Sequence, residues 1–597
     1  MNYSKRHLNR LVASEVRLIQ EELQDFQNES SDINEINTDS IVGEITTSST
    51  EVHTVNTNEE LPPILFKDKI AQWAIECNIA HLHLDKLLCI LREEHLEVPK
   101  SSKTLLHTPG PCKIVSVSPG NYCHIGLEKG IRYVLDSCKN PPNLIKIDLN
   151  FDGVAPTNTT TFWPILALVK QYSEPFLVGL YHGNKKPEDL ALYVKQLLEE
   201  IKRLQRDGMD IHGNKIDIVL NNVICDAPAK AYILNVKGHN SSTGCNKCVT
   251  EGTFINAMSF PILDSSLRTD RSFRERHNPE YHKGPSPLEE ILNFDMIKNF
   301  PLDYMHLVLL GVAKKILNTL WNGRMGLRLV DTVKQEINLR IEKLNISHRL
   351  FARKQRSISL ISDWKATEFR QFLLYTGPAL LYKLLENEQY IHFLFLHVAI
   401  RILCNKEMCQ NPLHNNVAKK LILKFVRNFE NFYGEGTISY NVHNLIHISD
   451  DVMQHGSLDE FSAFPYENFM LNIKQMTQTS NLQLQQIIKR TLEQRGFVTY
   501  KKKSNIEKYS SGDVVFLKND SIFFIETISE SAASGKLFEN TTFFYNKPLD
   551  SRVVGVFRID KSSFKKYTVT LSKILCRGVF IESINKEDVV VKFLHGQ

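Results

Sequence analysis

Two apolar runs in this chain each end at an aspartate, and this pairing constrains the fold more than any other feature of the sequence. The first run, Leu144–Phe151, leads directly to Asp152. The second, residues 215–224, is rich in β-branched residues and is followed by Cys225 and Asp226. Runs of this length and composition are typical of buried β-strands. Because a strand end is a rigid platform at the open edge of a sheet, the sequence predicts carboxylates at such an edge.

The segment between the two runs predicts the rest of a sheet. Residues 162–169 and 176–181 are short apolar runs that indicate two more strands. Residues 187–208 carry apolar side chains along one side at helical spacing, which predicts an amphipathic helix. Three strands, a helix and a further strand form the skeleton of an RNase H-like fold, in which acids at strand ends surround a pair of metal ions. The predicted fold class is therefore α/β.

Composition divides the rest of the chain into further segments. Residues 1–62 contain no Lys or Arg after Arg17 and are rich in acidic and small polar residues, so we expect a disordered acidic N-terminal segment. Five ordered segments are predicted to follow: a small helical module (63–130), the first part of the core (131–250), a helical insertion domain (251–440), a return to the core (441–496) and a C-terminal β domain (497–597). The predicted architecture is an RNase H-like core interrupted by a large helical insertion, with a small C-terminal all-β domain.

The length, net charge, apolar content and cysteine count restrict the class of protein. A chain of 597 residues is too long for one compact core. The formal charge of +5 is mild, but the acidic N-terminal segment leaves the rest of the chain more basic, which suits a polyanionic partner. The sequence contains no apolar run of about eighteen residues, so no membrane span is expected. Its 11 irregularly spaced cysteines are not typical of a disulfide framework and favour a reducing compartment, cytosol or nucleus.

Three carboxylates are candidate metal ligands: Asp152, Asp226 and Glu467. Two-metal phosphoryl chemistry needs acids that converge on two cations about 4 Å apart. Each acid also has a local alternative, since Asp152 before Gly153 is typical of a turn and Asp226 before Ala-Pro-Ala is typical of a helix N-cap. Glu467 opens a predicted helix among aromatic residues, where a buried acid is costly unless it binds a metal or a hydrogen-bond partner. Four other acids compete for the third position: Asp303, Asp450, Asp451 and Glu460.

Cysteines and histidines supply a second set of candidate ligands. Cys245 and Cys248 form a C-x-x-C pair, and His443 and His447 stand at i and i+4, on one face of a helix. Alone, the cysteine pair could be half a zinc site, a redox pair or two buried thiols, and the histidine pair is more often surface or core. Together the four form a complete Cys₂His₂ zinc set, with each half beside a candidate acid. Two other cysteines show no comparable partners and are interpreted as structural: Cys404 and Cys409.

The order of these residues resembles that in DDE transposases of the CACTA (En/Spm-like) group. Its spacing is also similar to that of the related Transib transposases and of the V(D)J recombinase catalytic subunit. In this family a cysteine pair follows the second Asp by about twenty residues and a histidine pair shortly precedes the Glu. Here the cysteines follow Asp226 by 19 and 22 residues, and the histidines precede Glu467 by 24 and 20. Longer strings, within a resemblance that covers about 65–500, resemble transposase-derived proteins of animal genomes: residues 224–229, 237–240, 300–306, 364–370 and 440–447.

The resemblance implies a DNA transposase that cuts and transfers DNA strands with two Mg²⁺ or Mn²⁺ ions held by Asp152, Asp226 and Glu467. It also implies a structural Zn²⁺ ion in the Cys₂His₂ set, which would join the insertion to the core. The implied partner is double-stranded DNA, both transposon ends and target, and the implied assembly is a homodimer in the nucleus. Basic residues of the insertion are candidate phosphate contacts: Lys314, Lys315, Arg353, Lys354, Arg356, Lys365 and Arg370.

Two alternatives to an active transposase stay open. The first is a domesticated, transposase-derived DNA-binding nuclear protein with the same fold and zinc site but without catalytic activity. The second is an unrelated scaffold, which predicts that the three acids lie far apart. The sequence also shows no N-terminal zinc finger of the type that many transposases use to find their ends. End recognition is therefore unassigned, and the C-terminal β domain is one candidate for it.

Overall fold

The computed structural model describes the chain from Leu65 to His595 with gaps. The described ranges are 65–136, 138, 140–155, 159–172, 174–344, 350–351, 353–477, 479, 481–496, 509–582 and 588–595. The predicted acidic segment, residues 1–62, lies outside them, as do residues 497–508 at the start of the predicted β domain. The chain divides into two compact units: Met1–Gly110 with Leu492–Tyr500, and Pro111–Thr491 with Lys501–Gln597.

The described residues of the first unit are mainly helical. Its helices are α1 (Phe66–Glu76), α2 (His81–Glu93) and α3 (Ser102–Leu105). Apolar residues at helical spacing form its buried core: Ile70, Ala71, Ala74, Ile75, Leu84, Leu88, Leu105 and Leu106. Glu493, far along the chain, lies 3.0 Å from His81 Nε2 and accepts a hydrogen bond from the Thr108 hydroxyl. These contacts tie the distant segment to the helices of this unit.

A seven-stranded sheet lies within the described part of the second unit. Its strands are β1 (Ile114–Val117), β2 (Gly120–His124), β3 (Leu144–Phe151), β4 (Thr161–Val169), β5 (Phe176–Gly183), β6 (Met209–Ile211) and β7 (Asn214–Ile224). They lie in the order β1-β2-β5-β4-β3-β7-β6, with β3 and β7 parallel and the other neighbours antiparallel. Two helices pack on this sheet: α4 (Leu127–Leu135) and α5 (Leu190–Asp207). The prediction of a mixed α/β chain is confirmed.

Helix α5 carries the chain from β5 to the β6–β7 hairpin, in which β7 lies next to β3. It begins at Asp189, whose side chain accepts a hydrogen bond from the Leu192 amide at 2.9 Å, and it ends at Gly208 with a φ of 70°. Its buried apolar side packs on the sheet. The return places β7 parallel to β3, in a register that pairs Asn150 with Ile224.

Helices dominate the middle of the chain. They are α6 (Ala227–Ile233), α7 (Asp270–Arg274), α8 (Lys314–Asn322), α9 (Asp331–Glu342), α10 (Ala366–Gln371), α11 (Gly377–Leu381), α12 (Asn387–Cys404), α13 (Lys406–Gln410), α14 (Pro412–Arg427), α15 (Phe429–Tyr433), α16 (Tyr440–His455), α17 (Phe464–Gln475) and α18 (Gln483–Gly496). Shorter elements are the β8–β9 hairpin (Thr253–Phe254, Met258–Ser259), wider π-type turns (Met305–Ala313, Phe372–Thr376) and 3₁₀ turns (Pro279–Tyr281, Pro287–Glu290, Ile358–Asp363, Leu458–Phe461).

Helix α12 is the central helix of this region. Every residue from Tyr390 to Cys404 is buried, which explains why its sequence is apolar on all sides. None of the helices in the described ranges combines the length and the apolarity needed to span a lipid bilayer.

The C-terminal part of the chain forms an all-β sheet, as predicted. Its strands are β10 (Val514–Leu517), β11 (Ile522–Ile528), β12 (Ala532–Phe538), β13 (Thr541–Phe543), β14 (Val556–Ile559), β15 (Phe564–Thr570), β16 (Ile574–Ile581) and β17 (Asp588–Lys592). They pair in the order β13-β14-β17-β16-β10-β11-β12-β15, antiparallel throughout. Apolar clusters around Phe516 and Phe523 form its core.

Two segments differ from their predictions. The sequence predicts one helix over residues 468–495, but the chain forms α17 and α18, separated by a stretch rich in Thr, Ser and Asn. Side chains of these types compete for backbone hydrogen bonds and so favour helix ends. Strands β1 and β2 lie within the range predicted as a helical module, yet they extend the sheet because β2 pairs with β5.

Candidate metal centres

Asp152 and Asp226 lie at the same edge of the seven-stranded sheet. Asn150 on β3 pairs with Ile224 on β7, and each aspartate comes two residues later on its own strand's path. Since β3 and β7 are parallel neighbours and adjacent strands lie about 4.8 Å apart, the register brings the two aspartates beside one another. This is the arrangement that the sequence pattern predicts.

Both aspartates also form the local hydrogen bonds expected of them. Asp152 Oδ1 accepts from the Gly153 amide at 2.7 Å, and Asp226 Oδ1 accepts from the Ala229 amide at 2.7 Å as the N-cap of α6. Gly153 is required at its position because a Cβ atom there would lie 2.9 Å from the Trp163 ring. The turn and the cap therefore fix the backbone around each carboxylate.

Glu467 lies in the first turn of α17 and contacts a histidine. His306 Nε2 is 3.2 Å from Glu467 Oε1, and His306 Nδ1 is 2.6 Å from Asp303 Oδ2. Asp303 is buried, and its other carboxylate oxygen accepts a hydrogen bond from the Ala463 amide at 2.7 Å, just before α17 begins. Asp303 therefore holds both the start of α17 and the imidazole that contacts Glu467.

The electrostatics of Asp152 indicate that the three acids lie near one another. Burial raises the pKa of Asp152 to about 7, and the negative charges of Asp226 and Glu467 add to this rise. The positive charge of His306 and the Gly153 amide oppose it. A carboxylate surrounded by other carboxylates is unfavourable in its charged form, and a bound cation relieves that cost.

Two observations bear on which acids could bind cations: the distances among Asp152, Asp226 and Glu467, and the ion pairs formed by the other candidate acids. Among the described residues, the oxygens of Asp152, Asp226 and Glu467 do not all lie within 4.8 Å of one another. A pair of ions about 4 Å apart spans a wider set of ligands than a single ion does. Three of the competing acids form ion pairs elsewhere: Asp450 with Lys419 at 2.7 Å, Asp451 with Lys247 at 2.6 Å, and Glu460 with Lys170 at 3.6 Å.

Cys245, Cys248, His443 and His447 form a single buried group. The two sulfur atoms are 3.6 Å apart, Cys248 Sγ lies 3.3 Å from His443 Nε2, and Cys245 Sγ lies 3.8 Å from His447 Nε2. A tetrahedral zinc ion with bonds of about 2.0–2.3 Å separates its ligand atoms by roughly 3.3–3.8 Å. The group could therefore hold zinc, and its geometry agrees with the prediction of a Cys₂His₂ set.

Neighbouring groups orient these four side chains. His443 Nδ1 lies 3.2 Å from the Phe260 carbonyl oxygen, which leaves Nε2 facing the thiols. The Lys247 amide donates to Cys245 Sγ at 3.4 Å. Support of this kind fixes the ring orientation of ligating histidines and the position of thiolates in metal sites.

The two thiols differ in acidity. Burial alone would raise the pKa of Cys245, but hydrogen bonds from Cys248, His443 and His447 outweigh burial and hold that pKa well below its usual value. Cys248 shifts in the opposite direction, because its contact with the Cys245 sulfur and its burial both raise its pKa. One thiol of the pair is thus poised to be a thiolate, the form that binds metal.

A buried ion pair connects the Cys₂His₂ group to the segment that leads to His306, the histidine in contact with Glu467. Lys247, inside the C-x-x-C loop, lies 2.6 Å from Asp451 on α16, the helix that carries both histidines. Asp451 Oδ2 also accepts a hydrogen bond from the Leu302 amide at 2.7 Å, next to Asp303. The thiol loop, the histidine helix and the segment that leads to His306 are therefore held together.

Some of the basic residues proposed to contact phosphates already bind groups within the protein, and others are exposed to solvent. Lys315 donates to the Thr437 carbonyl at 2.6 Å, Arg356 pairs with Glu368 at 2.6 Å, and Arg370 lies 3.6 Å from Asp459. Lys314 is partly buried. The side chains that face solvent are those of Arg353, Lys354 and Lys365.

One family model matches the C-terminal part of the chain. A family model described as a domain of unknown function, DUF8592, matches residues 490–593, which include all the strands of the C-terminal sheet. The search of curated proteins finds no match to this chain.

Proposed function

We propose that this chain is a DDE transposase of the CACTA/Transib-related type, built on an RNase H-like core. Water would attack a phosphodiester and break the bond between phosphorus and the 3′ oxygen. The freed 3′-hydroxyl would then attack a target phosphodiester and displace its 3′ oxygen. The strand order β5-β4-β3-β7, with α5 as the connection to a parallel β7, supports this fold because it agrees with the skeleton expected from the sequence.

The observation that carries the proposal is the clustering of three acids. Asp152 and Asp226 end neighbouring parallel strands, and Glu467 lies near enough for its charge to raise the pKa of Asp152. Carboxylate oxygens are the ligands that Mg²⁺ and Mn²⁺ prefer. When bound, two such ions would activate the attacking oxygen and neutralise charge on the leaving oxygen.

The chain's own residues prepare the acids for this role. His306 holds the Glu467 side chain, while Asp303 holds His306 and the backbone at the start of α17. Asp152 must lose its proton before both of its oxygens can accept a cation. Because burial raises its pKa, metal binding competes with protonation at Asp152 and strengthens as the pH rises.

We also propose that the Cys₂His₂ group holds a structural Zn²⁺ ion. The ion would join the C-x-x-C loop to α16. That loop follows α6, the helix capped by Asp226, and α16 is followed by the helix of Glu467. This explains how an acid distant in sequence can be fixed relative to two aspartates at strand ends.

The proposed substrate is double-stranded DNA at transposon ends and at the target site. Arg353, Lys354 and Lys365 are exposed and positively charged, so they are suited to contact phosphates. A homodimer that acts on paired ends and a nuclear location follow from the proposed activity.

The test is strand nicking of supercoiled plasmid DNA by the full-length protein in Mg²⁺ or Mn²⁺. We expect the wild-type protein to nick the plasmid only when the divalent ion is present. Asp226→Ala should lower the rate by at least a hundredfold and leave DNA binding in a mobility-shift assay unchanged. Asp217→Ala is the matched control, because Asp217 is an exposed aspartate on the same strand, β7.

Two results would contradict the proposal. Equal nicking by the wild-type protein and Asp226→Ala would mean that the acids are not the site of catalysis. DNA binding by a wild-type protein that nicks neither plasmid DNA nor a pre-cut 3′-hydroxyl substrate would favour the domesticated DNA-binding alternative.

A further inference from the structure

A second cluster of ligand-type residues lies where the C-terminal sheet meets the helical region. Cys404 ends α12, Asp459 lies in the turn Leu458–Phe461, and His595 follows β17. One ligand atom from each of the three residues lies within 4.8 Å of the other two. Because Cys404, Asp459 and His595 are far apart in sequence, only the tertiary fold brings them together.

The geometry of His595 suggests that its ring and Asp459 face a common point. His595 Nε2 is buried and lies 3.2 Å from Asp459 Oδ2. The other ring nitrogen, Nδ1, forms a hydrogen bond with the Tyr375 hydroxyl. Nε2 and the carboxylate oxygen are therefore close enough to be two ligands of one ion.

Asp459 is held in the same manner. Its Oδ1 atom lies 3.6 Å from Arg370 Nη1, which leaves Oδ2 on the side of His595. The Arg370 guanidinium is in turn stacked over the Phe464 ring, 4.5 Å from its centre. Metal-binding histidines and carboxylates commonly have their second polar atom fixed by such a partner. Both His595 and Asp459 meet this condition.

Burial also suits metal ligation. Cys404 is 2% exposed, and the side chains of His595 and Asp459 are 10% and 30% exposed. The thiol is therefore shielded from solvent, while the imidazole and the carboxylate keep limited access to it.

We propose that Cys404, Asp459 and His595 bind a second Zn²⁺ ion, with water as the fourth ligand. A mixed sulfur, nitrogen and oxygen set suits zinc, and a nitrogen–oxygen separation of 3.2 Å agrees with about 3.3 Å for a tetrahedral ion with bonds near 2.0–2.1 Å. A cavity of about 50 Å³ adjoins His595, and this volume is ample for a water molecule.

This ion would connect three parts of the second unit. It would bind the end of the central helix α12, the turn that precedes α17, and the segment that follows the last strand of the C-terminal sheet. Glu467 lies on α17, so the C-terminal sheet would be coupled to the helix that presents the third acid.

The test counts zinc in the full-length protein by elemental analysis after gel filtration. We expect two zinc ions per wild-type chain and one in Cys404→Ser or His595→Ala. Cys409→Ser is the matched control, because Cys409 is buried nearby with its thiol donating to the Lys406 carbonyl at 3.5 Å. This control should retain both ions.

A cobalt experiment assigns the ions to their sites and separates this proposal from that of the Cys₂His₂ site. In a Cys245→Ser, Cys248→Ser protein, Co²⁺ should still give a thiolate charge-transfer band, and adding Cys404→Ser should remove it. Tyr375→Phe, which keeps all three ligands, should weaken Co²⁺ binding by about tenfold or more. This milder variant tests the site even if a ligand variant does not fold.

Two results would overturn the proposed second zinc site, and a third would support it. A single zinc ion in the wild-type protein that persists in Cys404→Ser would overturn the second site and leave a plain hydrogen-bonded network. Unchanged Co²⁺ affinity in Tyr375→Phe would also overturn the second site. A single zinc ion that is lost in Cys404→Ser but kept in Cys245→Ser would support this site and contradict the Cys₂His₂ assignment.

Discussion

His306 Nε2 lies 3.2 Å from Glu467 Oε1, so the third candidate acid is paired with an imidazole before any cation is considered. Burial would lower the pKa of His306, but its hydrogen bonds and ion pairs with Asp303 and Glu467 outweigh burial and raise the pKa to about 11. His306 is therefore positively charged at neutral pH in this arrangement. It balances two carboxylates, and it fixes the direction of the Glu467 side chain.

The His306 contact predicts a specific metal-binding defect. His306→Ala should raise the Mg²⁺ or Mn²⁺ concentration needed for half-maximal nicking by on the order of ten- to a hundredfold, as expected when a group that orients a metal ligand is lost. His306→Gln retains a side-chain donor and should show a smaller change. The measurement is plasmid nicking across a metal titration. An unchanged metal requirement in His306→Ala would show that the contact does not position Glu467.

Loss of the Cys₂His₂ zinc ion should both destabilise the protein and reduce its zinc content. Cys245→Ser is expected to hold one zinc ion fewer per chain, because a tetrahedral structural site needs all four ligands. The binding free energy of such an ion contributes to folding, so the melting temperature should fall by several °C or more. Cys123→Ser, at another buried cysteine, is the control. Full zinc content in Cys245→Ser would contradict the assignment.

Asp152 predicts a pH-dependent stability in buffer without divalent cations. Its pKa is raised from 3.8 to about 7, so between these values the folded protein binds more protons than the unfolded chain. Stability therefore falls as pH rises through this window, and the loss is complete above about pH 7. Asp152→Asn should then be more stable than wild type at pH 8, by on the order of 1–3 kcal/mol, and similar near pH 4. Chemical denaturation at both pH values is the measurement, and a constant difference would contradict the prediction.

Local patterns were sufficient to predict four strands of the seven-stranded sheet: β3, β4, β5 and β7. The strands observed at Leu144–Phe151 and Thr161–Val169 match runs visible in the sequence, because a strand buried on both faces needs a nearly continuous apolar segment. The aspartates at the strand ends could be predicted for the same reason. The cysteine pair and the histidine pair could also be predicted, because the members of each pair are only three or four residues apart in the sequence.

Features that depend on distant residues could not be predicted in this way. His306 lies in a string noted in the sequence, but its role comes from Asp303 and Glu467, which are brought to it by the fold. Strand β12 has the small-residue sequence Ala-Ala-Ser-Gly and forms because β11 and β15 pair with it on either side. Cys404, interpreted from sequence as a structural cysteine, has its neighbours 55 and 191 residues further along the chain.

Arg401 predicts how the C-terminal sheet is attached to the helices. It is 1% exposed and donates hydrogen bonds to the carbonyl oxygens of Leu374 at 2.8 Å, Val554 at 2.7 Å and Lys592 at 3.0 Å. Arg401→Met fills a similar volume but leaves three buried carbonyl groups without their donor. Each unpaired group costs about 1–3 kcal/mol, so we expect a total loss of roughly 3 kcal/mol or more in the free energy of unfolding.

Where the protein loses stability in Arg401→Met shows whether Arg401 specifically attaches the C-terminal sheet or stabilises the whole fold. In Arg401→Met, hydrogen exchange should accelerate first in β14 and β17, the strands next to Val554 and Lys592, while β3 and β7 stay protected. Arg401→Lys keeps the charge, but its three N–H donors lie on one nitrogen and cannot reach all three carbonyl groups, so it should fall between wild type and the methionine variant. Uniform acceleration across all strands, or stability within about 1 kcal/mol of wild type, would show that Arg401 does not hold the C-terminal sheet in place.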